Sequence, residues 1–282
     1  GYAYLYILPA IVLMLCMCLF PVFVLIYNSF TDYALIRPAV NFVGFENYIS
    51  FFKSSSALTS VKTTLIYVAV AVTVELILGF VLALLFQVRM PFKKLGRTIM
   101  VLPMVATPVA MCYLWSFMFN PKLGILNYLL SLIGIPSQPW VSSPETALWS
   151  ILMVDAWMYT PFVFLIFSSA MASLGQDYFE AAIVDGAGFM QMLRYIMAPL
   201  LKPVLTIVLL FRLIDAFKVF DLIFVLTAGG PGTSTTTMNI LIYQNAFNYY
   251  RMGYASAIAV VMYLFILALS FVLVKKGGLD FN

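Results

Sequence analysis

Four charged residues stand three apart in the apolar run PVLTIVLLFRLIDAFKVFDLIFVLT: Arg212, Asp215, Lys218 and Asp221. Two further carboxylates, Glu75 and Asp155, stand alone in equally apolar surroundings. Helical neighbours three apart touch, and here their signs alternate, so the row can pair within itself. A charge in hydrocarbon costs at least about 2.5 kcal/mol, so each of these groups needs a partner or water. They can line a path for a polar solute, or they can fix the packing of helices. Asp215 and Lys218, nearest the middle of the run, are the preferred path-lining residues. Phe217 and Phe220 offer ring faces on which a sugar could stack. Asp155-Ala156-Trp157-Met158-Tyr159 sets an acid beside two aromatics, which suits a sugar and equally suits an acid paired with Arg212.

Other chemistries are excluded or unsupported. The chain has no histidine, which removes His-based catalysis and His metal sites. Cys16 and Cys18 lie two apart and do not face each other on a helix, and Cys112 is remote, so all three are expected to be packing residues. No G-x-x-x-x-G-K-[ST] occurs; GGPGTST at 229–235 lacks the lysine that would reach a phosphate. No catalytic residue, metal ligand, cofactor or nucleic-acid partner is expected for this chain.

The elements that must carry these residues are membrane helices. Only 9% of the 282 residues are charged, 64% are hydrophobic, and the mean hydropathy is +1.04. A soluble domain carries about 25% charged residues, so lipid must solvate much of this chain. Six apolar runs are long enough to span a bilayer, at about 5–27, 63–86, 98–119, 147–170, 203–227 and 254–274. The first is too long for a signal-peptide core and is expected to remain as an anchor. Pro103 and Pro108 predict a kink in the third. Arg89, Lys93, Lys94 and Arg97 after the second run, Arg194 and Lys202 before the fifth, and Lys275 and Lys276 after the sixth mark the cytoplasmic side. Segments 28–62, 120–146 and 228–253 then lie outside, and both termini lie inside. The expected fold is an all-α polytopic membrane protein, with 1–62 as a first helix plus extracytoplasmic segment and 63–282 as the core.

Between the fourth and fifth runs, loop 171–203 brings an acid pair, two close glycines and an arginine into apolar surroundings. Gln176 to Val184 reads as a short helix with Asp177 and Glu180 towards its start, where carboxylates favour the dipole. Asp185-Gly186-Ala187-Gly188 reads as a break, glycine supplying the left-handed conformation that ends a helix. From Phe189 a one-sided apolar stripe resumes at 189, 192, 193, 196 and 197, and Pro199 and Pro203 mark entry into the next span. The spacing predicts a helix–turn–helix that exposes Tyr178, Phe179, Met190 and Met192, a surface suited either to a protein partner or to the lipid headgroups.

The order Glu180-Ala181-Ala182, Asp185-Gly186, Ile196, Pro199 resembles the cytoplasmic signature of binding-protein-dependent ABC importer permeases, with Ala198 where that family usually has Leu. Val43-Gly44-Phe45-Glu46-Asn47-Tyr48 is similar to a box of carbohydrate permeases. Leu226 to Thr233 with Tyr243, Ala246-Phe247 and Gly253 resembles the loop before the last span of the maltose-type first permease subunit. The resemblance implies that 176–199 is a coupling helix–turn–helix docking on a cytoplasmic ATPase, with Glu180 in polar contact and Gly186 allowing the turn. It implies an importer made of this chain, a second homologous permease, two ATPase subunits that bind ATP and Mg, and an extracytoplasmic solute-binding protein, in a bacterial or archaeal cytoplasmic membrane. Gly229, Gly230, Pro231, Asn245 and Asn248 would gate the path outside or contact the binding protein.

Two other classes compete. A secondary transporter or channel would need coupling-ion sites and usually internal repeats, and no repeat relates the two halves. An intramembrane aspartyl enzyme would rest on Asp155 with Asp215 or Asp221, neither of which has a glycine-rich setting.

Overall fold

The computed structural model describes residues 2–37, 39–88 and 91–277. Arg89, counted above among the inner basic residues, lies outside them. In chain order the helices are α1 (Tyr2–Ser29), α2 (Glu46–Lys53), α3 (Ser55–Leu85), α4 (Lys93–Val105), α5 (Pro108–Met118), α6 (Ile125–Leu132), α7 (Ala147–Ala172), α8 (Gln176–Val184), α9 (Phe189–Met192), α10 (Ala198–Phe217), α11 (Asp221–Leu226), α12 (Met238–Tyr243) and α13 (Met252–Gly277). π-helical turns at Leu193–Met197 and Gln244–Asn248 follow α9 and α12. Among the described residues the only β pairing is one bridge, Thr31 to Phe42. Among the described residues, five helical stretches are long and apolar enough to cross a membrane, or six if α4 and α5 form one span. By compactness the chain divides into Gly1–Lys62 with Thr236–Ile266, and Thr63–Thr235 with Leu267–Asn282.

In the first unit, α1 buries none of its most apolar window, so lipid or another chain must cover it. Its end is tied down by the 43–48 segment. Asn47 donates from Nδ2 to the Ser29 and Thr31 carbonyls at 2.9 and 2.8 Å, and the Tyr48 and Ser29 hydroxyls meet at 2.6 Å. Phe30 packs edge-on against Phe45. Behind this joint, Phe51, Ala57, Met238, Leu241, Tyr254 and Ile258 form a buried cluster. Gly253 is needed there, because a Cβ would strike the Thr31 carbonyl.

In the second unit, Ala83 of α3, Val163, Phe164 and Phe167 of α7, and Leu201 and Val208 of α10 make the core. Gly79 lets α3 and α7 approach; a Cβ there would lie 2.6 Å from the Val163 side chain. Two breaks interrupt the spans, the first at the kink expected from Pro103 and Pro108, the second where one continuous helix was expected. The third run is bent by 98° between α4 and α5. Ala106 and Thr107 are extended; Thr107, directly before a proline, avoids the helical region, and Pro108 then starts α5 at a position where its missing N–H costs nothing. Pro103 stays inside α4. The fifth run, expected as one helix over 203–227, stops at Phe217 and restarts at Asp221, with Phe220 at φ −137°. Val219, β-branched, and aromatic Phe220 are weaker helix formers, and the gap leaves Lys218 and Asp221 free to turn towards one shared cavity.

Candidate functional site

That cavity, about 290 Å³, is lined by Asp155 and Tyr159 of α7, Arg212 and Asp215 of α10, Lys218 and Phe220 of the gap, and Asp221 of α11, with Pro108 of α5. Arg212 is the anchor. Its Nε and Nη2 donate to Oε2 and Oε1 of Glu75 at 2.5 and 2.7 Å, a bidentate pair. Nη2 also reaches Asp155 Oδ2, at 3.5 Å, and the guanidinium lies 4.1 Å from the centre of the Tyr159 ring. Glu75, Asp155 and Arg212 are all buried. Lys218 Nζ pairs with Asp215 Oδ1 at 3.4 Å, in the open part of the cavity.

The row therefore does not pair wholly within itself. Lys218 and Asp215 do so, whereas Arg212 turns to α3, and its main partner is Glu75 rather than Asp155. Asp155, Tyr159, Asp215 and Lys218 come together at the cavity. Trp157 faces an apolar groove of about 830 Å³ between α3, α4 and α7, and Phe217 is 2% exposed in the core. Neither lines the polar cavity. Asp221 and Arg212 do, and they sat in the sequence row without being singled out for it.

At the other pole of the functional reading, the 176–199 segment folds as helix, turn and helix. α8 closes with a Schellman motif: Ala187 N–H donates to the Ala182 carbonyl at 2.8 Å, and Gly186 N–H to Ile183 at 3.0 Å. Gly186 has φ +76°, the left-handed conformation this closure requires. Gln191 Oε1 then accepts from the Gly188 N–H at 2.8 Å and caps α9. Ala182 is buried, while Glu180, Ala181, Asp185 and Pro199 are exposed and Ile196 is half-buried. Ala182, Asp185, Gly186 and Ile196 share the wall of an open hollow of about 320 Å³ with Gln191, Met192 and Tyr195. Tyr178 and Met190 are exposed as expected. Phe179 is not: it packs onto the core cluster of the unit, and Met192 is half-buried in the hollow.

The 226–235 loop closes on itself. The Thr235 hydroxyl meets that of Thr227 at 2.7 Å and donates to the Gly230 carbonyl at 2.8 Å, and Gly229 sits at φ +95°. Of the two asparagines expected at the outer gate, Asn248 is exposed. Asn245 is buried, donating to the Leu241 carbonyl at 2.9 Å.

Residues 75–276, which hold the polar cavity and the helix–turn–helix, match the family profile of the binding-protein-dependent transport system inner membrane component. The chain belongs to this family. It is an ABC importer permease, and its curated relatives run alongside it for nearly their whole length. The trehalose/maltose transport system permease protein MalF of Thermococcus litoralis is 35% identical, over 97% of this chain and 92% of the relative. The probable ABC transporter permease y4oQ of Sinorhizobium fredii is 37% identical, over 93% and 85%. The trehalose transport system permease SugA of Mycobacterium tuberculosis is 32% identical, over 98% and 88%. The permease also shares its fold with a chain of a bacterial ABC transporter that imports alginate, at TM-score 0.87 and 23% identity over 99% and 96% of the two chains.

Proposed function

We propose that this permease forms half of the translocation path of an ATP-driven sugar importer and receives the work of ATP hydrolysis through loop 171–203. The observation that carries this reading is the helix–turn–helix itself. Four of its signature residues, Ala182, Asp185, Gly186 and Ile196, line one hollow, while Glu180, Ile183 and Val184 stand exposed on the same segment. An adaptable apolar surface with carboxylates at Glu180 and Asp185 suits docking into a cleft of another protein. The names of the relatives support a sugar as cargo. In this reading six helices span the bilayer, with the α4–α5 pair as one bent span, both termini are cytoplasmic, and residues 63–282 form the transport core behind the anchor 1–62. The second permease, two ATPases that bind ATP and Mg, and an external solute-binding protein complete the importer. Nucleotide-driven closure of the ATPases shifts the two coupling loops together and exchanges inward-open for outward-open states. The cavity of Asp155, Tyr159, Asp215 and Lys218 serves the path, and the 226–235 loop with Asn248 serves the outer entrance.

Glu180→Lys and Gly186→Pro test the coupling role. Proline fixes φ near −65°, which the turn at Gly186 cannot accept. Both variants should insert normally in the membrane and recover less ATPase on purification of the complex. Normal ATPase recovery with wild-type uptake would contradict the role.

A further inference from the structure

We propose that the polar cavity passes uncharged, hydroxyl-rich solutes and turns away anionic ones, with Asp221 setting the rule. The inference rests on the cavity being part of the translocation path.

Three carboxylates and two cations line the space, and both cations are already engaged. Arg212 spends two N–H donors on Glu75 and lays its face on Tyr159. Lys218 is held by Asp215 at 3.4 Å. Asp155, 1% exposed, receives Arg212 only at the long distance of 3.5 Å. Asp221 forms no ion pair among the described residues. Among the lining groups, three carboxylates face two cations, and Asp221 is the one left over. An ionised carboxylate offers acceptors alone, with no proton to give. A ligand that satisfies them must donate hydrogen bonds, as sugar hydroxyls do. A carboxylate, sulfonate or phosphate would instead bring a second negative charge within a few ångströms of Asp221. At the screening typical of protein surfaces, that repulsion weakens binding on the order of a hundredfold. Family membership does not decide the point; the charge balance of this cavity does.

The test uses the complete complex, purified with its sister permease and ATPases, and carrying Val219→Cys at the cavity wall. The rate at which a maleimide labels that cysteine, read by mass spectrometry of its peptide, is followed as sugar is added. The probes are neutral disaccharides, among them trehalose and maltose, and uronic-acid disaccharides of the same size. A neutral disaccharide should slow labelling where the uronic acids do not. Adding Asp221→Asn, which preserves shape, should weaken neutral protection about tenfold and let a uronic acid protect. Equal or better protection by uronic acids in the parent complex would overturn the charge rule, as would an unchanged preference in Asp221→Asn. If no sugar slows labelling while the complex still imports, the cavity is off the path and the underlying reading fails instead.

Discussion

Arg212 holds two carboxylates from two other helices, and their unequal hold on it makes a prediction of its own. Removing a single partner from a buried ion pair costs about 3–5 kcal/mol, because the remaining charge stays buried. Arg212→Gln strands both Glu75 and Asp155, so it should fall in that range. Glu75→Gln leaves Arg212 balanced by Asp155 and should cost clearly less. Thermal unfolding of the purified complex compares them, and equal losses would contradict the shared arrangement. Outside the membrane, Asn41 donates to Asp32 from its backbone N–H at 2.6 Å and from its side chain at 3.0 Å. These bonds favour the charged form and hold the Asp32 carboxyl below its ordinary value, the backbone bond contributing most. A lowered native pKa means the stabilisation is complete above the unfolded value and is lost as pH falls through the native one. Protection of the Asn41 amide, measured against its intrinsic exchange rate, should therefore fall in acid, and Asp32→Asn should remove that pH dependence. A fall in protection that persists unchanged in Asp32→Asn would refute it.

Among elements, the close crossing of α3 and α7 depends on Gly79, which has no room for a side chain against Val163. Gly79→Leu forces the helices apart and should lower the yield of folded protein, with a loss of about 1–3 kcal/mol or more in thermal unfolding. A variant as stable as the parent would mean that the two helices do not meet there. The short helix Gln176–Val184 was legible residue by residue, because its start, its glycine stop and the resumed stripe are local signals. The runs for most spans were legible for the same reason. What sequence could not give was where a span breaks. Pro103 and Pro108 both announce a kink, yet only Pro108 makes one, since its predecessor Thr107 must leave the helical region. The gap at 218–220 carries neither proline nor glycine, and it follows from which side chains the cavity draws in. Partner choice was equally hidden. Glu75 and Arg212 are 137 residues apart, and nothing in the spacing prefers that pairing over Asp155. Phe179 likewise belongs to an apolar stripe whose inward edge is fixed only by what α8 packs upon.

At the scale of the molecule, the two poles of the account lie in one compact unit, the mixed-charge cavity and the glycine-hinged loop both falling within Thr63–Thr235. A permease that couples them needs an outside source of work and a rigid connection between loop and cavity. The helical stretch Phe189–Phe217 runs from the loop to the cavity wall and suits that role in the proposed mechanism. The apolar length of α1, left uncovered by its own chain, fits a protein built to sit beside others in a bilayer. The most direct measurement is uptake into proteoliposomes that hold this permease and its sister, with the solute-binding protein outside and ATP inside, compared with and without the ATPase subunits. Accumulation should require the ATPases and ATP together, and Gly186→Pro should abolish it while the proteins remain inserted. Accumulation by the permease pair alone, or undiminished uptake with Gly186→Pro, would contradict the account.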